Sequence, residues 1–520
     1  MLLFGLECKS FHLSSQKEYI ICMKKRILAL LLSAMLTAPM LFSCAGETST
    51  NTDESNTDTT GADTTTTEAE TDGWQYPDVD YAGGEYRMLN FDQLWNMFIY
   101  MDATELTGET LNDALYNRNR AIEDKLNCKI IEKKIECDAA NTVTLLTDEA
   151  KTSIMSGSDD YDVMFLPISQ DISLVTEGYL LNLMDIPQLQ LSESWWDQDV
   201  IQATTLQDKL YFATGAINLM AYDSMWCLFF NENMMEERNM DKPYDLVREG
   251  KWTLDALTEY CTEVATLNTD ESFKWNKDGT CLWGISSHQD GPEKFYFSAG
   301  VRCAQTQSDG TIAFTLENEH FYNVIDKLAV LMNGKTGNTL KASNVDFDVD
   351  AGGYVHVFTV GRSLFMTGEI KAAQLMRDME DTFGIVPFPK ADEEQENYIT
   401  NIVTSVFCLT IPTTNSCLDQ TATITEVLAH DSQEKVIPLY YNTVVEHKGL
   451  RNEDSVEMLD IMRQTRAVDI AIMFNWYNSS MRSTINSKLF NGDNQVASTV
   501  ASNKGTIETN IAKFMEYLEK

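Results

Sequence analysis

EYRMLNF at Glu85–Phe91, LNDALYNRNRAIEDKLN at Leu111–Asn127, CKIIE at Cys128–Glu132 and YDVMFL at Tyr161–Leu166 are the segments whose reading decides the fold. The first alternates as a strand does. The second places Leu111, Leu115, Ile122 and Leu126 on one helical face, with its charges elsewhere. CKIIE follows as a strand. Residues 141–156 form a second helical stretch that ends near Gly157, and YDVMFL is a short buried strand. Strand–helix–strand–helix–strand is the pattern of a parallel sheet with helical crossovers, so the chain reads as α/β.

The same alternation continues toward the C-terminus. Leu210–Phe212 and Met225–Phe230 (MWCLFF) read as strands. Trp252-Thr253 opens a helix: Thr253 can cap it, Asp255 suits its positive end, and Leu254, Leu257, Cys261 and Val264 form its apolar face. Phe321, Val324, Ile325, Leu328 and Leu331 mark another amphipathic helix. Phe383–Phe388 and Val403–Ile411 read as strands, and the last hundred or so residues as mostly helical, with Val456–Arg466 and Ile511–Leu518 the clearest stretches.

Before the fold lies a segment of another kind. Met23-Lys24-Lys25-Arg26 is followed by an apolar run, Ile27–Phe42, and then by Ser43-Cys44. The run is interrupted by Ser33, Thr37 and Pro39 and is short for a bilayer span. A basic stretch, an apolar stretch and a small residue before cysteine have the order of a signal peptide (1–44, with Met23 as the expected start) that ends in a lipobox. Residues 45–73 hold Thr, Ser, Asn, Asp, Glu, Gly and Ala, with no Lys or Arg, and read as a disordered tether. The expectation is an exported chain lipidated on Cys44.

The formal charge of the 520 residues is −40. Residues 1–44 carry five Lys/Arg and two Asp/Glu, so the chain from residue 45 onward is near −43. Such a surface repels nucleic acid and anionic lipid. Eleven cysteines include Cys8, Cys22 and Cys44, which leaves eight, none in CxxC spacing. Cys227 and Cys408 lie in apolar runs and read as small core residues. Asp346-Phe347-Asp348-Val349-Asp350 imitates the start of a calcium loop, but Ala351 and Val357 stand where that loop needs Gly and Glu. No metal site and no cofactor are expected.

Several segments resemble one family. GSDDYDVMFLP (Gly157–Pro167) resembles the stretch where a helix leads into an exposed strand in extracellular solute-binding proteins. GYLLNLMD (Gly178–Asp185) is similar to their G-x-L-x-x-L loop, followed here by Trp195-Trp196-Asp197. Lys209–Asn231 is similar to the segment that crosses between lobes, and YDLVREGKWTLD (Tyr244–Asp255) to their G-x-W-T helix start. FTVGRSLF (Phe358–Phe365) and FGIVPFPK (Phe383–Lys390) complete the order. With the lipobox, the chain resembles a sugar-type, family 1 solute-binding lipoprotein of a bacterial ABC importer of Gram-positive type.

That resemblance implies a two-lobed, periplasmic-binding-protein-like (type II) α/β fold with a hinge and an interlobe cleft. Residues 74–216 plus about 393–437 would form lobe 1, and 217–392 plus about 438–520 lobe 2. Hinge segments would lie near Gly215–Tyr222 and Pro389–Glu394. It also implies a monomer on the extracellular face of the membrane, with permease subunits as partners.

Sugars are bound by aromatic faces and by planar polar groups on loops at strand ends. The candidates are Gln170 after the strand YDVMFL, then Tyr222, Asp223, Ser224 and Trp226 in the crossing segment. Trp283 in CLWGI and Glu369 after FMTG join them. Trp476 corresponds by order to a C-terminal aromatic that faces the cleft in this family. Trp252 reads as structural and Trp275 as peripheral, while Trp195 and Trp196 suit either packing or the cleft. The rival readings are an exported carbohydrate-active hydrolase, whose HExxH and GxSxG signals the sequence lacks, and a surface binding or sensing module not coupled to transport. A peptide in place of a sugar is the rival ligand.

Overall fold

Parallel pairing sets the first sheet. The computed structural model describes residues 74–92, 101–136, 142–219, 222, 224–342, 353–402, 406–446, 452–477 and 479–520. Strand β1 (Gly84–Phe91) pairs in parallel with β2 (Cys128–Ile135) from Gly84 opposite Cys128, and with β3 (Val163–Leu166). Helices α1 (Thr110–Leu126) and α2 (Thr142–Met155) make the crossovers, as the spacing predicts. Asn127, in the left-handed region at φ 46°, ends α1 and turns the chain into β2.

The chain then passes through α3 (Gln198–Thr204) to a second, five-stranded sheet. Its strands are β4 (Trp226–Asn231), β5 (Trp283–Ser287), β8 (Thr339–Lys341), β9 (Ser363–Glu369) and β10 (Phe383–Val386), in the order β10-β4-β9-β5-β8. A small hairpin, β6 (Ala304–Thr306) with β7 (Ile312–Phe314), lies apart from it. Helices α4 (Leu254–Val264), α5 (Gly291–Ser298), α6 (Glu319–Leu331) and α7 (Gly353–Thr359) accompany this sheet. Thr253 Oγ1 accepts the Ala256 N–H and caps α4, and Leu254, Leu257, Cys261 and Val264 are all fully buried. Trp252 is buried too, its indole N–H bonded to the Pro387 carbonyl.

The chain returns through β11 (Thr400–Asn401) to β12 (Cys408–Thr410), which closes the first sheet antiparallel to β3 in the order β12-β3-β1-β2. Helix α8 (Leu418–Lys435) packs against α1 and β1. Then α9 (Ile437–Glu446) reaches from α1 to the 3-10 turn after β9, and α10 (Glu453–Gln464) packs on β10. Strand β13 (Arg466–Ala467) runs parallel to β11, and Met225 bridges Ile402, so three passages of chain lie side by side. Helices α11 (Ser479–Phe490) and α12 (Ala497–Leu518) end the chain.

Some expectations need correction. Leu210–Phe212 is extended but carries no ladder; only Ala213 beside it bridges Leu409, at the edge that β12 leaves open. The strand expected over Val403–Ile411 is confined to Cys408–Thr410, with residues 403–405 outside the described set. The C-terminal helix begins at Ala497, well before Ile511. Asp159 is ion-paired with Arg87, which also bonds Asp162. Trp275 packs on Trp283 and is not peripheral. Cys128, Cys227, Cys261, Cys281, Cys303, Cys408 and Cys417 are free thiols, all but Cys417 buried. The signal segment, Cys44, the tether, Cys137 and the Asp346–Asp350 loop lie outside the described residues.

Trp195 and Trp196 are core residues of this fold. Both indole N–H groups donate to the Glu426 carboxylate of α8, at 2.7 and 3.1 Å. Burial nevertheless pushes the Glu426 pKa up to about 7. Buried Asp469 is likewise raised, to about 6, although the Cys303 and Ala471 N–H groups bond it. A carboxyl group whose folded pKa lies above its unfolded one holds its proton more tightly when folded, so stability is lost as pH rises through that window. The melting temperature should therefore fall between about pH 5 and pH 8, and Glu426→Gln should reduce the fall. Calorimetry at both pH values checks this.

Candidate functional site

The parallel strands β5, β8 and β9 bring their carboxyl ends to one edge of the second sheet. Ligands in open α/β sheets bind outside such an edge. Strand β4 runs antiparallel to β9, so its first residue, Trp226, lies at the same edge and pairs with Glu369. Glu369 is the last residue of β9, not a loop residue, and forms an ion pair with Lys371 at 2.7 Å.

His288 follows β5 directly. Its ring lies 6.1 Å from that of Trp226 and 5.5 Å from that of Tyr354 on α7. Its Nδ1 accepts the Asp290 N–H at 3.2 Å. Burial lowers the His288 pKa, against the pull of the Asp290 and Glu369 carboxylates, so the imidazole is neutral at pH 7. Lys294 on α5 is 3 % exposed and sets its ammonium 5.4 Å over the Trp226 ring. One residue earlier, buried Glu293 faces Arg482 of α11 at 3.4 Å. Beside them a cavity of about 360 Å³ is lined by Gln289, Asp290, Lys341, Arg482, Asn486 and serines of α11. Its volume suits a small ligand, and its lining is polar.

The other sequence candidates are spread over three places. Gln170 is exposed in the turn after β3, at the carboxyl end of the first sheet, and its carbonyl accepts the Asn475 side-chain N–H at 3.3 Å. Tyr222 and Ser224 are buried where the chain passes between the sheets. The Arg466 guanidinium lies 5.0 Å from the Tyr222 ring centre, and Tyr441 meets that ring edge-on. Trp283 is fully buried with Cys281, Ala342 and Val357 beneath the second sheet, and the Arg362 guanidinium lies over its ring. Trp476 stacks on Phe474 and packs against Phe514 of α12. Asp223 lies outside the described residues.

The fold thus brings Trp226 and Glu369 together and adds His288, Asp290, Lys294 and Arg482, which the sequence reading did not single out. For His288 and Asp290 the available signal is their position just after the strand CLWGISS. For Lys294 and Arg482, on helices, no local signal exists.

The passages between the sheets are tied by a buried ion pair. Asp197 caps α3 by accepting the Val200 N–H, and its other oxygen lies 3.1 Å from Arg466 Nη1. Removing one member of such a pair strands the other without compensation and costs ~3–5 kcal/mol. Arg466→Met should lose about that much in urea denaturation. The double variant Asp197→Asn/Arg466→Met should lose less than the sum of the two single variants.

No protein-family profile matches the chain, and no curated protein matches it in sequence. Solved structures do match in fold. A sugar transporter from Rhizobium etli in an open conformation superposes with a TM-score of 0.56 at 12% identity, over 82% of this chain and 99% of that one. The galacto-N-biose/lacto-N-biose I-binding protein of the ABC transporter from Bifidobacterium longum, in complex with lacto-N-biose, gives 0.55 at 10% identity, over 84% and 98%. An ABC substrate-binding protein from Listeria monocytogenes in complex with cycloalternan gives 0.53 at 13% identity, over 83% and 99%. The chain has the two-lobed α/β fold of the substrate-binding proteins of ABC transporters.

Proposed function

We propose that this chain is an extracellular solute-binding protein that captures a sugar or oligosaccharide between its lobes and delivers it to the permease subunits of an ABC importer. The observation that carries the reading is the edge where Trp226, His288, Asp290 and Glu369 meet beside a polar cavity, at the carboxyl ends of β5, β8 and β9. An aromatic face beside planar polar groups is what sugar recognition requires. The sugar-bound neighbours from Listeria and Bifidobacterium, of the same fold, support the ligand class.

In this reading the lobes comprise 74–216 with about 393–437, and 217–392 with about 438–520. Closure turns on the passages around Tyr222, β11 and β13. The segment 1–44 is a signal peptide, Cys44 carries the lipid, and 45–73 tether a monomeric binding unit to the outer face of the membrane. The protein binds its sugar and leaves it unchanged.

A thermal-shift screen against saccharides, amino acids and peptides tests this. At a hundredfold excess over Kd, a ligand of the folded state should add about 2.7 kcal/mol of stability, and the sugar should be recovered intact. A shift only with peptides or amino acids would replace the ligand class, and an altered sugar would favour the hydrolase. Cys44→Ala should move the protein from the membrane fraction to the medium, which fractionation of expressing cells would show.

A further inference from the structure

Lys294 carries a charge at the candidate site that no carboxylate of the described residues meets. It is buried, and among the described residues no hydrogen bond or ion pair reaches its ammonium. Its one partner is the face of Trp226. The Trp226 indole N–H, also buried, has no acceptor in the protein. Two donors, one of them a cation, are thus stacked at the ligand-facing edge of the sheet with nothing to receive them.

Two of the three neighbouring carboxylates already face a cation. Glu293 faces Arg482, and Glu369 is paired with Lys371. Asp290 lies 3.7 Å from His288 Nδ1, but that imidazole is neutral and does not offset its charge. Lys341, on the cavity wall, adds a further positive charge and is exposed. In a chain of net charge −40, this edge sets four cations, Lys294, Lys341, Lys371 and Arg482, against three carboxylates, Asp290, Glu293 and Glu369. A cation–π contact returns only part of what an ammonium loses on leaving water. An uncompensated group of this kind calls for a partner, and at this edge a ligand can supply one. Asn486 adds a complementary feature. Its side-chain N–H is bonded to the Gln289 carbonyl, which leaves its buried Oδ1 without a donor. An acceptor of that sort suits a hydroxyl.

We infer that the site takes an anionic saccharide, with the acidic group received by Lys294 and hydroxyls by the Asn486 side of the cavity. The inference rests on the carbohydrate reading above and narrows it. The acidic group can be a carboxylate, as in a uronic acid, or a phosphate, and the ammonium recognises either as an anion that accepts hydrogen bonds.

Calorimetric titration of the protein with trigalacturonate, glucose 6-phosphate and neutral galactotriose tests it. At least one acidic probe should bind tenfold or more tightly than the neutral one, with an affinity that falls as salt is raised. Which acidic probe binds identifies the source of the charge. Lys294→Met should weaken the acidic probe at least tenfold and abolish the preference, while Lys294→Arg should retain it. Without ligand, Lys294→Met should melt no lower than the parent, because it removes an unpaired buried charge. Tighter binding of galactotriose would overturn the inference and leave the carbohydrate reading standing. So would a Lys294→Met protein that melts lower and keeps the preference. Failure of every saccharide, with a shift from peptides or amino acids, would overturn both.

Discussion

Arg466 is where the two halves of this fold are held to each other. It lies on β13, which pairs with β11, the passage by which the chain returns to the first sheet. Its guanidinium faces Asp197, which belongs to the Trp195-Trp196-Asp197 turn, and covers the ring of Tyr222 on the outgoing passage. Trp195 and Trp196 are in turn held by Glu426 on α8. One cation therefore links two passages to the helix layer of the first sheet. With Asp197 1 % exposed at its side chain, the pair survives only because each charge meets the other.

The site edge depends on a different constraint, the direction of the strands. Because β5 and β9 run the same way, the residues that leave them, His288 and Glu369, come to one edge. Because β4 runs the other way, its entry residue Trp226 joins them. Buried Glu293 and Lys294 and the half-buried Arg482 then bring charges behind the aromatic face. Their mutual compensation is incomplete, and burial, helped by the Lys294 and Arg482 cations, keeps His288 neutral.

Much of the fold could be read from local pattern, and the reasons are visible in single residues. The apolar face of α4 and the Thr253 cap depend only on helical periodicity and an orphan N–H group, both properties of neighbouring residues. The parallel β1–β2–β3 unit was legible because each crossover helix is amphipathic and short. Leu210–Phe212 misled because an apolar extended run has the same pattern whether or not a partner strand is present. The candidate site was less legible. Trp226 and Trp283 stand in similar apolar strands, yet one reaches the sheet edge and the other sits beneath the sheet against Arg362. No spacing along the chain separates the two cases.

While the short β8 and the central β9 went unread, the sequence by itself determined the α/β class, the parallel unit of the first sheet, strands β4 and β10, the Thr253 cap, the apolar faces of α1, α4 and α6, the net acidity and the burial of Cys227 and Cys408. These follow from periodicity and composition, which act between residues close in sequence. Only the tertiary structure decided which strand ends share an edge, that Trp226 stands opposite Glu369, and that Lys294 lies over that indole without a counter-charge. Register, strand direction and charge pairing join residues far apart in the chain. Their energies depend on burial and distance, which no local stretch of sequence carries.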